Sequence, residues 1–79
     1  MKNRRLTVES YAGHKADQQP IRFYLENRCH AIEELLKQWQ EPDATYFQVR
    51  ADDGNTYTLR LAGKDNVWTL ESFTPAGDG

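Results

Sequence analysis

Apolar and polar residues alternate in two stretches near the start of the chain. In LTVESY (residues 6–11) Leu6 and Val8 are flanked by polar side chains, and in IRFYL (residues 21–25) apolar side chains occupy every second position. Because successive side chains of a strand point to opposite faces, this period of two predicts two half-buried β-strands. The intervening AGHKADQQP (residues 12–20) has no apolar period, which indicates a connecting loop.

The second half of the chain alternates on both sides of a short turn. Phe47 and Val49 precede the turn, and Tyr57 and Leu59 follow it. The two sets share one face of a hairpin only if the loop has an odd number of residues. A three-residue loop Asp-Asp-Gly, with Gly54 in the left-handed conformation that follows a type I turn, meets this condition. The sequence therefore predicts that Val49 opposes Tyr57 and that Phe47 opposes Leu59.

The same parity argument predicts a third strand. Leu61 opposes Trp68 and Leu59 opposes Leu70 if the next loop has an even number of residues, and GKDN (residues 63–66) supplies four turn-forming residues. Residues 46–72 are thus predicted to form a three-stranded meander. We expect a single domain over residues 1–79, with an ordered core of about residues 5–73 and a flexible tail at 74–79.

The stretch HAIEELLKQWQ (residues 30–40) supports two interpretations. As a helix with Asn27 as its N-cap, it places four apolar side chains at i, i+3, i+4 and i+7, namely Ile32, Leu35, Leu36 and Trp39. As a strand it continues from a tight turn at residues 26–27 and directs His30 and Ile32 to the core. Periodicity does not distinguish the two interpretations in a run this short.

The chain also resembles a family of short uncharacterised bacterial cytoplasmic proteins. The family pattern is close to P-x-x-F, R-x-x-x-V-x-E-x-L-x-x-W, Y-F-x-V-x-x-D-G-x-x-Y-x-L, W-x-L. The likeness covers residues 20–72 and rests on PIRF, on YFQVRADDGNTYTL and WTL, and on Arg28, Ile32, Glu34, Leu36 and Trp39. The resemblance implies a strand at residues 28–36 and brings no known activity. Similar domains are loosely associated with DNA-repair polymerases.

The strand interpretation gives the fold class that we expect. The chain would be all-β, a small five- or six-stranded antiparallel roll or SH3-like barrel with Trp39 sealing one end. Closure of the sheet would also protect its edges. The alternative is an α+β domain in which a helix at about residues 28–40 packs on an antiparallel sheet.

Composition predicts a compact cytoplasmic domain. The 79 residues are 38% hydrophobic and 28% charged, which is enough apolar material for one small core. The single cysteine, Cys29, excludes an internal disulfide, and the sequence shows neither an apolar run of spanning length nor a signal-peptide pattern, so we expect no membrane partner. Residues 1–28 carry six basic and three acidic groups and the remainder four and nine, which is unlike the strongly basic face of nucleic-acid-binding proteins.

Groups suited to catalysis or metal binding are sparse. Cys29 and His30 would point to opposite faces of a strand, so we expect Cys29 to be a buried or half-buried thiol rather than a nucleophile. One Cys and two His fall short of a zinc signature, and DDGN lacks the spaced ligands of a calcium loop. We expect no enzymatic activity, no cofactor and no metal. A remote alternative is an enzyme subunit that uses an acidic cluster of Glu33, Glu34, Glu41 and Asp43.

A binding surface is better supported. The hairpin register places Tyr46 opposite Arg60, and Arg50 on the same face, away from the apolar positions. With Arg22 and Tyr24 as an extension, the candidate surface is Tyr46, Arg50, Arg60, Arg22 and Tyr24. Arginine beside tyrosine on an exposed sheet binds peptides or single-stranded nucleic acid through stacking and bidentate hydrogen bonds. The plainer alternative is a set of cross-strand pairs that keep the sheet soluble.

Two hypotheses about function follow. The leading one is a small binding or adaptor module whose partner is a protein. The second, from a different class, is a nucleic-acid-associated accessory domain, to which Lys2, Arg4 and Arg5 would add contacts. A steep dependence of binding on salt concentration would distinguish nucleic acid from a protein partner. The oligomeric state is not predicted, although an exposed sheet edge would allow two copies to pair.

Overall fold

The protein is a closed six-stranded antiparallel β-barrel in the computed structural model, which describes residues 4–11, 19–64 and 66–76. The strands are β1 Arg4–Tyr11, β2 Gln19–Leu25, β3 Arg28–Glu41, β4 Ala44–Ala51, β5 Thr56–Ala62 and β6 Trp68–Thr74. Consecutive strands pair with one another, and β1 also pairs with β6, which closes the barrel. The expected small all-β barrel is confirmed, and the alternative helix at residues 28–40 is wrong because β3 occupies that stretch. The described residues include no helix that could cross a membrane.

The β4–β5 hairpin has the predicted register. Val49 pairs with Tyr57 and the other predicted pairs follow along the ladder. Gly54 has φ +88°, and its backbone N–H donates to the carbonyl of Ala51 at 2.9 Å. A type I turn followed by a left-handed glycine gives this geometry, as parity required. The predicted register of the next hairpin is likewise confirmed, since Leu61 pairs with Trp68 and Leu59 with Leu70, while Asp65 of the intervening loop lies outside the described part of the chain.

A turn of only two residues reverses the chain between β2 and β3. Glu26 and Asn27 have φ values of 51° and 67°, and Leu25 pairs with Arg28. Two consecutive residues with positive φ form the mirror-image turn whose twist matches that of a two-stranded ribbon. This turn starts the long strand β3 directly after β2.

Strand β3 changes partner along its length and contains two irregularities. Arg28–Ala31 pairs with β2, and the ladder with β4 begins at Ile32. Against β4, the register shifts between residues 32 and 34 and again between 35 and 37. At each shift β3 gains one residue over β4, as in a β-bulge, and the strand bends. The bends allow one strand to take part in both curved halves of the barrel.

The core consists of inward-facing side chains from all six strands, since Ile32 of β3 packs against the buried cluster. Phe23, Val49 and Leu59 are completely buried. The buried cluster is Leu6, Phe23, Phe47, Val49, Ala51, Tyr57, Leu59 and Trp68, with Leu61 and Leu70 packed against it. The apolar residues that parity assigned to one face therefore do lie together.

Two predictions about single residues are wrong. Trp39 does not seal the end of the barrel: it is half-buried and pairs with Tyr46 on the outer face. Cys29 is exposed rather than buried or half-buried. His30, its neighbour, is buried at 8% exposure, so the two side chains do point to opposite faces as predicted.

The predicted connecting loop and tail lie partly within strands. β2 already begins at Gln19, inside the stretch predicted as a loop, and residues 12–18 lie outside the described part of the chain. β6 continues to Thr74, and the backbone N–H of Ala76 donates to Asn55 Oδ1 at 2.8 Å. The tail predicted to begin at residue 74 is therefore attached to the β4–β5 hairpin at Ala76, and residues 77–79 are not described.

Candidate functional site

Three side chains from adjacent strands form a continuous group on the outer face of the barrel. Trp39 of β3 pairs with Tyr46 of β4, which pairs with Arg60 of β5. The rings of Trp39 and Tyr46 are parallel to within 4° with centroids 5.2 Å apart. Arg60 Nε donates to the Tyr46 hydroxyl oxygen at 3.3 Å. We refer to Trp39, Tyr46 and Arg60 as the aromatic–basic patch.

The aromatic–basic patch combines apolar area with positive charge. All three side chains are half-buried and face away from the core. Lys37 Nζ lies 5.7 Å from the centroid of the Trp39 ring, within the range of a cation–π contact. On the other side of the patch, Arg60 Nη2 lies 3.9 Å from Asp43 Oδ2, a carboxylate on an exposed side chain. The patch therefore offers stacked rings flanked by two cations, one of which faces a carboxylate.

Arg50 lies apart from the aromatic–basic patch. It is four residues from Tyr46 along β4, which corresponds to about 13 Å in an extended strand. Its guanidinium donates to Glu34 Oε1 at 2.5 Å, and 42% of the Arg50 side chain is exposed. Glu34 neutralises the charge of Arg50, so the Arg50–Glu34 ion pair is a separate feature of the same face.

Arg22 and Tyr24 form a third group, on β2. Arg22 Nη1 lies 2.6 Å from Glu9 Oε1, and the Tyr24 hydroxyl donates to Glu9 Oε2 at 3.1 Å. The hydrogen bond to Glu9 raises the pKa of Tyr24. The structure thus divides the five predicted surface residues among three groups, and within the described residues no hydrogen bond or ion pair joins one group to another.

A cleft at one end of the barrel brings together ionisable groups from β3, β5 and the β4–β5 turn. Its volume is about 440 Å³, and its lining includes Arg28, His30, Asp53, Tyr57, Leu70 and Phe73. The Tyr57 hydroxyl donates to Asp53 Oδ2 at 2.7 Å, and His30 Nδ1 lies 3.4 Å from the same oxygen. The ring of Phe23 stacks on the imidazole ring of His30, with the two ring centroids 5.1 Å apart. Asp53 therefore links the β4–β5 turn to His30 of β3 and to Tyr57 of β5.

The electrostatics of the cleft favour a charged Asp53. Partial burial of Asp53 acts to raise the pKa of its carboxyl. Hydrogen bonds from the Asn55 backbone N–H and the Tyr57 hydroxyl outweigh burial and hold the pKa of Asp53 below its usual range. Burial, together with the same hydrogen bond to Asp53, raises the pKa of Tyr57. The pair is thus a carboxylate that accepts from a neutral phenol.

The carboxylates in and near the cleft fall into one group that could hold a metal ion and one that balances arginines. His30, Asp52 and Asp53 each place one ligand atom within 4.8 Å of the others. Three protein ligands are fewer than the four of a structural zinc site and equal to the three of a catalytic one, and Asp53 already accepts a hydrogen bond from Tyr57. Of the acidic cluster predicted from the sequence, Glu34 is paired with Arg50 and Asp43 lies beside Arg60. These two carboxylates balance arginines and are not aimed at a common point.

Sequence reasoning found part of the patch and missed the cleft. Hairpin parity predicts Tyr46 and Arg60 as partners, whereas Trp39 is predicted to seal one end of the barrel. The cleft depends on His30 and Asp53, which are distant in sequence and adjacent only because the β2–β3 strands and the β4–β5 turn meet at one end of the barrel. The one available signal was the prediction that His30 faces the core.

Comparison with known proteins identifies no relative of this chain. No family model, no curated protein and no solved structure matches it. The resemblance of residues 20–72 to the short bacterial family therefore stays a prediction, and the function is argued from the geometry of the site.

Proposed function

We propose that the chain is a small protein-binding module that contacts its partner through the aromatic–basic patch. The observation that carries the proposal is the parallel stack of Trp39 on Tyr46, hydrogen-bonded to Arg60, on the outer face and away from the core. Tryptophan, tyrosine and arginine are the residue types that most often dominate the energy of protein interfaces. A rigid pair of rings also loses little conformational entropy when it is covered.

The charges around the arginines favour a protein partner over nucleic acid. Arg22, Arg50 and Arg60 each lie within 4 Å of a carboxylate oxygen, at 2.6, 2.5 and 3.9 Å. Carboxylates in these positions repel phosphates and reduce the counterion release on which nucleic-acid affinity depends. Of the basic residues at the start of the chain, Arg5 is exposed, while Lys2 and the Arg4 side chain lie outside the described part.

The proposal is one of binding in the cytoplasm rather than catalysis. The exposed thiol of Cys29 suits a reducing compartment, where it stays unpaired. In the end cleft, the described residues place no nucleophile beside a base and a pair of oxyanion donors, as covalent acyl transfer requires. The module is expected to act through its surface.

The experiment compares capture of partners by variants of the patch and by a matched control. Immobilised wild-type protein, Tyr46→Ala and Arg60→Glu are incubated with nuclease-treated extract of the source cells. Arg22→Glu serves as the control because it reverses the same charge on the same outer surface, outside the patch. We expect a protein that is retained by wild type and by Arg22→Glu and is lost from both patch variants.

Three results would count against the proposal. Equal capture by all four proteins would show that the patch is not the contact surface, and capture of no protein by wild type would remove the proposed activity. Tighter binding of wild type to oligothymidylate than to any captured protein, with a steep salt dependence, would support the nucleic-acid alternative. Circular dichroism of each variant verifies that the barrel is folded.

A further inference from the structure

Three potential metal ligands meet where β3 passes the β4–β5 turn. His30 of β3 and Asp52 and Asp53 of the turn each place one ligand atom within 4.8 Å of the others. The backbone N–H of Asp52 donates to the carbonyl oxygen of Ala31 at 2.8 Å, which holds the turn beside β3. The sequence predicts no metal because its ligands are scattered along the chain, whereas the fold brings these three together.

His30 distinguishes this group from an ordinary cluster of surface carboxylates. Its side chain is only 10% exposed and lines the cleft, and within the described residues its imidazole makes no hydrogen bond. Nδ1 lies 3.4 Å from Asp53 Oδ2, beyond the about 2.7–3.2 Å of an N–H···O hydrogen bond. Buried polar side chains normally have a hydrogen-bond partner or a metal ion, and His30 faces the cleft without the former.

The spacing of His30 and Asp53 matches that of two ligands of one zinc ion. Zinc binds imidazole nitrogen and carboxylate oxygen at about 2.0–2.2 Å in tetrahedral sites, which places two ligand atoms about 3.4 Å apart. The distance from His30 Nδ1 to Asp53 Oδ2 is 3.4 Å. The Asp52 side chain is exposed and makes no hydrogen bond or ion pair within the described part of the chain, so its rotation is able to bring the third ligand to the ion.

We propose that His30 Nδ1, Asp52 and Asp53 bind a zinc ion whose fourth position is open to the cleft. An imidazole ligand favours zinc over magnesium and calcium, which prefer oxygen ligands alone. Three protein ligands and one open position are the arrangement of catalytic zinc sites. The cleft, of about 440 Å³, has room for a water molecule or a small ligand at the open position. The zinc site goes beyond the proposed function and does not depend on the aromatic–basic patch.

The charges around the site favour a cation. Besides Asp52 and Asp53, the carboxylate of Glu26 lines the cleft, and these three negative charges face one positive charge, that of Arg28. A cleft with an excess of one charge raises the local concentration of ions of the opposite sign. The cleft therefore attracts a divalent cation in spite of Arg28.

Hydrogen bonds orient the Asp53 carboxylate for this role. The Tyr57 hydroxyl donates to Asp53 Oδ2 at 2.7 Å, and hydrogen bonds of this kind commonly fix carboxylates that ligate metals. The Asn55 side-chain amide donates to the same oxygen at 3.0 Å. Because that oxygen has two lone pairs, we expect the zinc ion to replace the Asn55 amide and to leave the Tyr57 hydrogen bond in place.

The experiment is a zinc titration of untagged, chelator-treated protein by isothermal titration calorimetry. We expect wild type to bind one zinc ion per chain with a dissociation constant below about 10 µM, and to show no saturable binding of Mg²⁺ at the same concentrations. Asp52→Ala removes one ligand from the exposed turn. His30→Phe removes the nitrogen ligand and keeps a ring against Phe23. Each variant is expected to raise the dissociation constant by at least about tenfold.

Matched controls make the same two substitutions elsewhere in the chain. Asp43 has an exposed side chain at the opposite end of β4, and His14, the other histidine, lies outside the described residues. Asp43→Ala and His14→Phe are expected to bind zinc as tightly as wild type. Wild type without saturable zinc binding would overturn the proposal. So would Asp52→Ala or His30→Phe with wild-type affinity, or loss of zinc binding in either control.

Measurements on wild type alone cover the case in which a variant fails to fold. NMR of the imidazole nitrogens is expected to show zinc bound at His30 Nδ1 while Nε2 keeps its proton. Binding through Nε2, or no change at either nitrogen of His30, would contradict the site. Zinc at about a hundred times its dissociation constant is expected to raise the folding equilibrium constant about a hundredfold. A urea midpoint that zinc does not raise would show that the folded barrel does not bind the ion.

Discussion

Replacement of Asp53 by Asn tests whether the carboxylate in the end cleft stabilises the barrel. The Asn side chain keeps an oxygen that accepts from the Asn55 backbone N–H, a contact of 3.0 Å in the wild type. It loses the negative charge and the second acceptor oxygen, which receives the Tyr57 hydroxyl at 2.7 Å. The turn therefore stays intact while the charge-assisted hydrogen bonds are removed.

The expected loss is modest and measurable. A hydrogen bond to a charged group contributes about 1.5–3 kcal/mol and a neutral one about 1 kcal/mol. Because about a third of the Asp53 side chain is exposed, the lower end of the range applies, and we expect Asp53→Asn to lower the free energy of unfolding by about 1–2 kcal/mol. With a urea m-value of about 1 kcal/mol/M, the unfolding midpoint falls by about 1–2 M.

The matched control is Asp52→Asn. Asp52 is the preceding residue of the same turn, its side chain is exposed, and within the described residues its carboxylate makes no hydrogen bond or ion pair. Urea unfolding at neutral pH is expected to show wild-type stability for this variant. Equal stability losses for the two variants would contradict the role of Asp53, because both remove one negative charge from the turn.

The pH dependence of the same difference gives a second test. The folded-state pKa of Asp53 lies below the unfolded value, so its contribution is complete above the unfolded pKa of about 4. It is lost as the pH falls through the folded pKa and the carboxylate takes up a proton. The stability difference between wild type and Asp53→Asn is therefore expected to shrink in acid. A difference that stays constant as the pH is lowered would refute the assignment to charge.

Four further substitutions test the fold by urea unfolding. Gly54→Ala is expected to cost about 1 kcal/mol or more, because φ +88° is unfavourable for a residue with a Cβ, and an unchanged midpoint would contradict the predicted turn. Leu59→Ala removes a completely buried side chain and is expected to cost about 2–5 kcal/mol, whereas a loss below that range would place Leu59 outside the core. Trp68→Ala in the core is expected to lower the free energy of unfolding by about 3–5 kcal/mol, and Trp39→Ala on the outer face by only about 1 kcal/mol. A larger loss for Trp39→Ala than for Trp68→Ala would show that Trp39 is the core tryptophan.

The hairpin register followed from the sequence because side-chain parity is a strong constraint. A strand that buries one face has only two choices of register parity, and a loop of three or four residues selects one of them. Parity in this way predicts that Phe47 and Tyr57 lie in the core and that Arg60 lies on the outer face, as observed. No knowledge of the rest of the barrel was needed.

The ambiguity of β3 has a physical cause in its two register shifts. Ile32, Leu35 and Gln38 of β3 oppose three alternate residues of β4. The β3 residues that oppose inward-facing residues of β4 therefore recur every three residues instead of every two, which imitates the spacing of a helical face, although Leu35 and Gln38 are themselves exposed. A single sequence gives no sign of a bulge, so the outward position of Trp39 was not predictable. The cleft was not predictable for a different reason, because His30 and Asp53 come into contact only when the barrel closes.

The central claim is that residues 28–41 form one bulged strand that holds Trp39 on the outer face against Tyr46. The most direct measurement is the pattern of NMR contacts in this segment. The structure predicts cross-strand contacts from Trp39 to Tyr46 and from Gln38 to Phe47, with no contact from Trp39 to Trp68 within the core. Consecutive amide–amide contacts through residues 30–40, together with a Trp39 ring buried against Trp68, would contradict it.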